Sequence, residues 1–327
     1  MVRFGLLGCG RISARGLIPG IKGSTTAELT ALASERPGVA AEWALEHGAK
    51  KSYTSYEAVL ADPEIDAVYI PTTGETHAKW TIAAAEAKKH VLCEKPLAMD
   101  VAHAEEMAAA CRQHGVMLQE AFMWRHHPRS KQALKLINDG EIGALRMIVA
   151  SFSFDIDRSD WRLRPERGGG AMWDVGCYGV NAARLFTGAE PVEVLAAAHW
   201  APTGVDMTMQ IALRFPGDVL ANIDCSFEQP FRCRVELVGE KGRIMLDEAF
   251  LPSATPAIQI QRGTATGGLA DRGVEEILVL PQDQYVAQVE DFCRSVEAGR
   301  LLSPAENGVA NMRVLETALN DARRRRT

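Results

Sequence analysis

The chain has 327 residues, 47% of them hydrophobic and 24% charged, which is enough to bury a sizeable core and suits two domains better than one. A formal net charge of -6 gives no overall attraction to nucleic acid or anionic lipid, and no segment approaches the ~20 apolar residues of a membrane span, so neither partner is expected. The seven cysteines are scattered, with no Cys-x-x-Cys pair and no histidine at ligand spacing, which fits reduced thiols in a cytoplasmic protein; no metal is expected.

From residue 1 to about 121, short apolar runs alternate with helical periods, as in a parallel sheet joined by crossover helices. Strands are predicted at Arg3–Leu7, Glu28–Ala33, Ala67–Ile70, His90–Cys93 and Met117–Ala121. The clearest helix starts at Asp100 as N-cap, carries Ala104, Met107, Ala108 and Cys111 on one face, and stops at Gly115. After His126-His127-Pro128 one helix (Arg129 to Asp139) gives way to alternating strands. In Val205 to Phe215 the odd positions are apolar, and Phe231 to Leu237 sends Arg232, Arg234 and Glu236 away from its apolar side. A glycine- and threonine-rich loop is expected at Gly263 to Gly273. Two terminal helices follow, the first with Tyr285, Val289, Phe292 and Val296 on one face, the second opened by a capping box, Ser303-Pro304-Ala305-Glu306, and ending in the basic run Arg323 to Arg326. The fold class is α/β: a doubly wound Rossmann domain over residues 1–121, then an α+β domain over 122–327 on a mostly antiparallel, open-faced sheet.

Gly8-Cys9-Gly10-Arg11-Ile12 directly follows the first strand and opens a helical pattern. Glycines there permit a tight turn and a close approach of backbone N–H groups to a pyrophosphate, which a helix N-terminus favours; Ser13 stands where a third glycine or alanine would give the closest packing. At the end of the second strand, Ser34 and Arg36 suit a ribose 2′-phosphate and favour NADP, while Glu35 between them leaves NAD open. Glu94-Lys95-Pro96 ends an apolar strand, where a lysine is aimed at the ligand crevice and can polarise a hydroxyl or carbonyl. Gly168-Gly169-Gly170 precedes Asp174 and Tyr178, which are four apart and share a face if helical. A phenol near a cation is a competent proton relay; the plainer alternative is a buried tyrosine bonded to a structural aspartate. No tyrosine has a lysine four residues later, which excludes the Tyr-x-x-x-Lys arrangement.

These segments, with Tyr69-Ile70-Pro71 and His77, and Glu120-Ala121-Phe122-Met123 with Arg125, His127 and Pro128, make the chain resemble the glucose-fructose oxidoreductase and inositol dehydrogenase (Gfo/Idh/MocA) family along nearly its whole length. Many relatives have histidine where this chain has Tyr178; tyrosine is the form in the branch of NADP-linked D-xylose 1-dehydrogenase and trans-dihydrobenzene-diol dehydrogenase, which the chain resembles within the family. The resemblance implies an enzyme with Lys95 and Tyr178 at the catalytic centre, Asp174 beside them on the substrate, and Pro71, Thr72, His77 and Glu94 joining the glycine loop around the cofactor. The run Thr72-Thr73-Gly74-Glu75 departs from the family pattern at the cofactor loop. The implied activity is hydride transfer between a nicotinamide dinucleotide and a secondary alcohol or carbonyl of a sugar, polyol or cyclic diol, by a homodimer or homotetramer. A biosynthetic keto-sugar reductase, or a non-catalytic dinucleotide-sensing regulator on the same fold, are the alternatives.

Overall fold

The computed structural model describes residues 1–253, 255–263, 273–300 and 303–326; the loop expected at Gly263 to Gly273 lies outside them except for its end residues. The chain divides into two compact units, 1–126 with 283–312, and 127–282 with 313–327.

In the first unit, β1 (Val2–Leu7), β2 (Ala27–Ala33), β3 (Lys51–Tyr53), β4 (Ala67–Ile70), β5 (His90–Cys93) and β6 (Leu118–Glu120) form an all-parallel sheet in the order β3-β2-β1-β4-β5-β6. This is the doubly wound order, in which the succession of strands reverses between β1 and β4 and leaves a ligand crevice beyond their carboxyl ends. The inner strands are continuous apolar runs because helices cover both faces: α1 (Ile18–Gly23), α2 (Val39–His47), α3 (Tyr56–Ala61), α4 (His77–Glu86) and α5 (Val101–His114). The ends of α5 are those the sequence predicts: the Asp100 side chain accepts the N–H of His103, and Gly115 takes φ 68°. The short edge strand β3 has no apolar run to announce it.

Helix α8 (Gln284–Ala298) also belongs to this unit, unlike in a contiguous division at residue 121. The reason is a strip of glycines after the first strand. A Cβ on Gly16 would lie 2.5 Å from the Tyr285 ring, one on Gly20 2.8 Å from the Tyr285 carbonyl carbon, and one on Gly23 2.7 Å from Val286. The bare helix surface therefore admits α8 at contact distance, and Val289 and Phe292 complete the core around Phe4.

The second unit holds α6 (Pro128–Asn138), α7 (Cys177–Thr187) and the strands β7 (Leu145–Ser153), β8 (Glu193–Trp200), β9 (Asp206–Arg214), β10 (Leu220–Ser226), β11 (Arg232–Gly239), β12 (Gly242–Asp247), β13 (Ala257–Arg262) and β14 (Val274–Leu278). Their sheet runs β14-β13-β12-β11-β7-β10-β9-β8, antiparallel except for the β7–β10 pair. The predicted alternation holds in β9, where Met207, Met209, Ile211 and Leu213 are buried and Gln210 and Arg214 exposed. In β11 Cys233, Val235 and Leu237 are buried, but Phe231 is 56% exposed because it precedes the ladder, which begins at Arg232. Helix α9 (Ala305–Arg324) contributes to both units, dividing after Met312. Among the described residues no helix is long and apolar enough to cross a membrane, and no cluster of three or more His, Cys, Asp or Glu could hold a metal. All seven cysteines are buried thiols outside any disulfide.

Candidate active site

In the first unit, the residues expected around a dinucleotide gather at the carboxyl ends of β1, β2 and β4. Gly8 has φ +139°, which side chains rarely adopt, and a Cβ there would sit 3.4 Å from Pro71. Gly10 opens on space, its nearest such neighbour being the Pro71 carbonyl oxygen at 3.9 Å. Burial pushes the Cys9 thiol up to about 11, and its Sγ donates to the Ala33 carbonyl at 3.7 Å, so it clips the loop to β2 rather than serving as a nucleophile. Exposed Arg11 and half-buried Ile12 begin the helix. The Ser13 hydroxyl donates to the Gly8 carbonyl at 3.3 Å from within a π turn, Ser13–Leu17. The position suited to a third glycine thus carries a side chain that closes the loop.

Ser34 is buried at the end of β2, and its hydroxyl accepts the Arg36 N–H at 3.2 Å. The Arg36 guanidinium donates through Nη2 to the Cys9 carbonyl at 2.7 Å, which fixes a cation against the glycine loop, with Glu35 exposed between the two. Pro71 and Thr72 follow β4, and buried Thr72 Oγ1 has no hydrogen-bond partner among the described residues.

His77 sits behind this surface. Its Nε2 lies 2.9 Å from the Thr72 carbonyl, and its Nδ1 lies 3.1 and 3.2 Å from those of Pro96 and Leu97. Burial lowers its pKa, against the pull of these carbonyls. Its side chain therefore staples the turn after β4 to the turn after β5. Glu94 is also turned inward: the Tyr69 hydroxyl donates to its Oε1 at 2.6 Å and the Lys95 N–H to its Oε2 at 3.2 Å. Lys95, half-buried, leaves the carboxyl end of β5 on this supported turn.

In the second unit Asp174 lies in a π turn, Met172–Gly176, that runs into α7. Tyr178 is 5% exposed and packs edge-on against Phe152 and tilted against Phe250, at centroid distances of 5.4 and 5.2 Å. Asp174 accepts from Arg162 Nε at 2.7 Å, and Arg162 Nη1 reaches Asp160 at 3.3 Å. Burial opposes the Arg162 charge, but Asp174 and Asp160 more than offset it and its pKa is raised.

The glycine run serves this arrangement. Gly168 and Gly170 take φ 77° and 125°, and a Cβ on Gly169 would fall 2.3 Å from the Arg162 carbonyl oxygen. Gly169 and Gly170 thus pack closely against their own chain. Arg162 and Asp160 escaped the sequence reading; the only signal was an Asp-x-Arg pair just before the glycines, which polar loops often carry.

Residues 2–122 match the oxidoreductase family with an NAD-binding Rossmann fold, and residues 130–245 match the GFO/IDH/MocA C-terminal domain. The chain belongs to the Gfo/Idh/MocA oxidoreductase family. It is 36% identical to D-xylose 1-dehydrogenase (NADP(+)) 2 of Haloferax volcanii over 98% of this chain and 97% of that one. Among solved structures it resembles KijD10, a 3-ketoreductase from Actinomadura kijaniata in complex with NADP and TDP-benzene (30% identity, TM-score 0.89, 98% and 97% of the two chains). It is similar also to the aldose-aldose oxidoreductase of Caulobacter crescentus complexed with glycerol (30% identity, TM-score 0.90, 99% and 98%). As a Gfo/Idh/MocA protein it is an NAD(P)-dependent oxidoreductase. The first unit fits that cofactor on its own geometry: backbone bare of side chains at Gly8 and Gly10, a fixed guanidinium at Arg36, and an unsatisfied hydroxyl at Thr72.

Proposed function

We propose that this oxidoreductase interconverts a secondary alcohol and a carbonyl on a sugar, polyol or cyclic diol, preferring NADP, as a cytoplasmic homodimer or homotetramer. When bound, the nicotinamide supplies the hydride acceptor or donor. Backbone N–H groups of Gly8 to Ile12 hold the pyrophosphate, and Ser34 and Arg36 the adenosine ribose phosphate, with Pro71 and Thr72 lining the loop beside them. Tyr178 takes the hydroxyl proton in oxidation and returns it in reduction, with Lys95 as the cation that favours the phenolate. Asp174 accepts a hydrogen bond from a neighbouring substrate hydroxyl.

The observation that carries this division of roles is the pairing of Asp174 with Arg162 at 2.7 Å. A carboxylate held by a guanidinium is an acceptor and a poor base, which supports the phenol as the group that carries the proton. Similarity to an NADP-linked xylose dehydrogenase supports the sugar and the cofactor; similarity to a 3-ketoreductase supports the same chemistry run toward reduction. The oligomer reading rests on the uncovered sheet face, where Met147 on β7, Leu220 on the adjacent β10 and Leu195 on the edge strand β8 are 37%, 44% and 43% exposed. The test is a screen of sugars, inositols and cyclic diols with both cofactors, followed by reduced-nicotinamide absorbance. Turnover of a sugar or diol with NADP supports the reading, and inactivity across the panel in both directions overturns it. Light scattering tests the assembly, which a strictly monomeric mass at micromolar concentration contradicts.

A further inference from the structure

The turn that delivers Asp174 is gripped from two sides. Along the chain, Arg162 accepts the Gly170 N–H on its carbonyl at 2.9 Å, and Gly170 in turn accepts the Asp174 N–H at 3.2 Å. From the sheet, the side chain of Asp206 at the start of β9 reaches the same corner. Its Oδ2 accepts the Met172 N–H at 2.6 Å, and its Oδ1 lies 2.3 Å from where a Gly170 Cβ would stand. The contact is so close that only glycine fits opposite the carboxylate. Asp206 is 1% exposed, on a strand that otherwise buries methionine, isoleucine and leucine. A carboxylate retained in such a place, and spent on one loop, points to a need for that loop to be fixed.

We propose that Asp206 is a positioning residue, anchoring the Gly168 to Asp174 turn to the sheet and so placing Asp174 and Arg162 for the substrate. Burial pushes its carboxyl up to about 7, with the Met172 N–H pulling the other way. Around it, Arg323 from α9 favours the charged form, and the buried Cys225 thiol on β10 is itself raised, by burial first and by the Asp206 charge second. Its role is exerted through Met172 and Gly170, so an uncharged acceptor of the same shape should largely replace it.

The experiment uses the full-length protein in two arms. In limited trypsinolysis at pH 8, Asp206→Ala should be cut after Arg162 or Arg167 at least tenfold faster than wild type, while Asp206→Asn, which keeps an acceptor for Met172, should stay within about twofold. In kinetics, Asp206→Ala should raise the alcohol KM tenfold or more with dinucleotide Kd unchanged, and Asp206→Asn should restore most of it. Gly170→Ala, which drives a methyl group into Asp206 Oδ1, should reproduce Asp206→Ala in both arms and serves where that variant does not fold. Wild-type cleavage and KM in Asp206→Ala or Gly170→Ala, or equal impairment of the Asn and Ala variants, overturns the proposal. The kinetic arm rests on the oxidoreductase reading above; the proteolysis arm does not, so failure of that reading is seen separately as the lack of any active substrate.

Discussion

Arg162 donates its Nε to the Asp174 carboxylate at 2.7 Å, and the same guanidinium stacks over Trp161 with its carbon 4.8 Å from the ring centre. The fork is thereby fixed in direction as well as in charge. Arg162→Ala leaves a partly buried carboxylate without its cation and should raise substrate KM about tenfold or more, leaving dinucleotide affinity alone. Arg162→Lys should recover little, because an ammonium reproduces neither the planar fork nor the stacking. Full recovery in the lysine variant would show that charge alone matters.

Arg36 is joined to the glycine loop through the Cys9 carbonyl at 2.7 Å. If its guanidinium also meets the 2′-phosphate, Arg36→Ala should weaken NADP by about 10- to 100-fold, the worth of a charge-assisted hydrogen bond, and weaken NAD far less. Binding titrations with both dinucleotides check this. Equal losses, or a wild type that prefers NAD tenfold, would reject it.

The cofactor half was legible in the sequence because its signals are local. Glycines at 8 and 10 after an apolar strand, Lys95 at a strand end, and Asp100 and Gly115 around a helix each carry their meaning within a few residues. What the sequence hid depends on contacts distant along the chain. The packing of Tyr285 on Gly16 and Gly20, which brings α8 into the first unit, spans most of the chain, and a glycine in a helix reads only as a poor helix former. The Asp206 side chain on Gly170 looked like one polar position in an alternating strand. The π turn at Asp174 has no residue to announce it, and His77 turned out to face carbonyls on two loops.

The glycine strip makes a stability prediction. Gly20→Ala places a methyl carbon 2.8 Å from the Tyr285 backbone, where little can yield, and should destabilise the protein by about 1–3 kcal/mol despite the better helix propensity of alanine. Denaturant melts give the answer; an unchanged or raised midpoint would mean that α8 shifts freely on this surface.

Asp206 gives stability a pH dependence of defined sign. Its folded pKa, about 7, lies above the 3.8 of the free side chain, so between these values the native state binds more protons than the unfolded one. Stability should fall as pH rises from about 4 to about 7 and level off above, by up to ~4 kcal/mol from this group. Asp206→Asn should flatten that slope. The difference between the two proteins' melting curves across this range isolates the group, and parallel curves would count against its burial as a titrating acid.

In the proposed mechanism Tyr178, supported by Lys95, moves the proton. Tyr178→Phe keeps the ring that packs on Phe152 and Phe250 and removes only the hydroxyl. The most direct measurement is turnover and dinucleotide binding of Tyr178→Phe, Lys95→Ala and the double variant on one active substrate. Turnover of Tyr178→Phe should drop ~10²- to 10⁴-fold with cofactor affinity nearly unchanged, and the double variant should be little worse than the worse single one, as for groups that act as a unit. Near wild-type turnover in Tyr178→Phe would rule out the phenol and move the proton relay to another group.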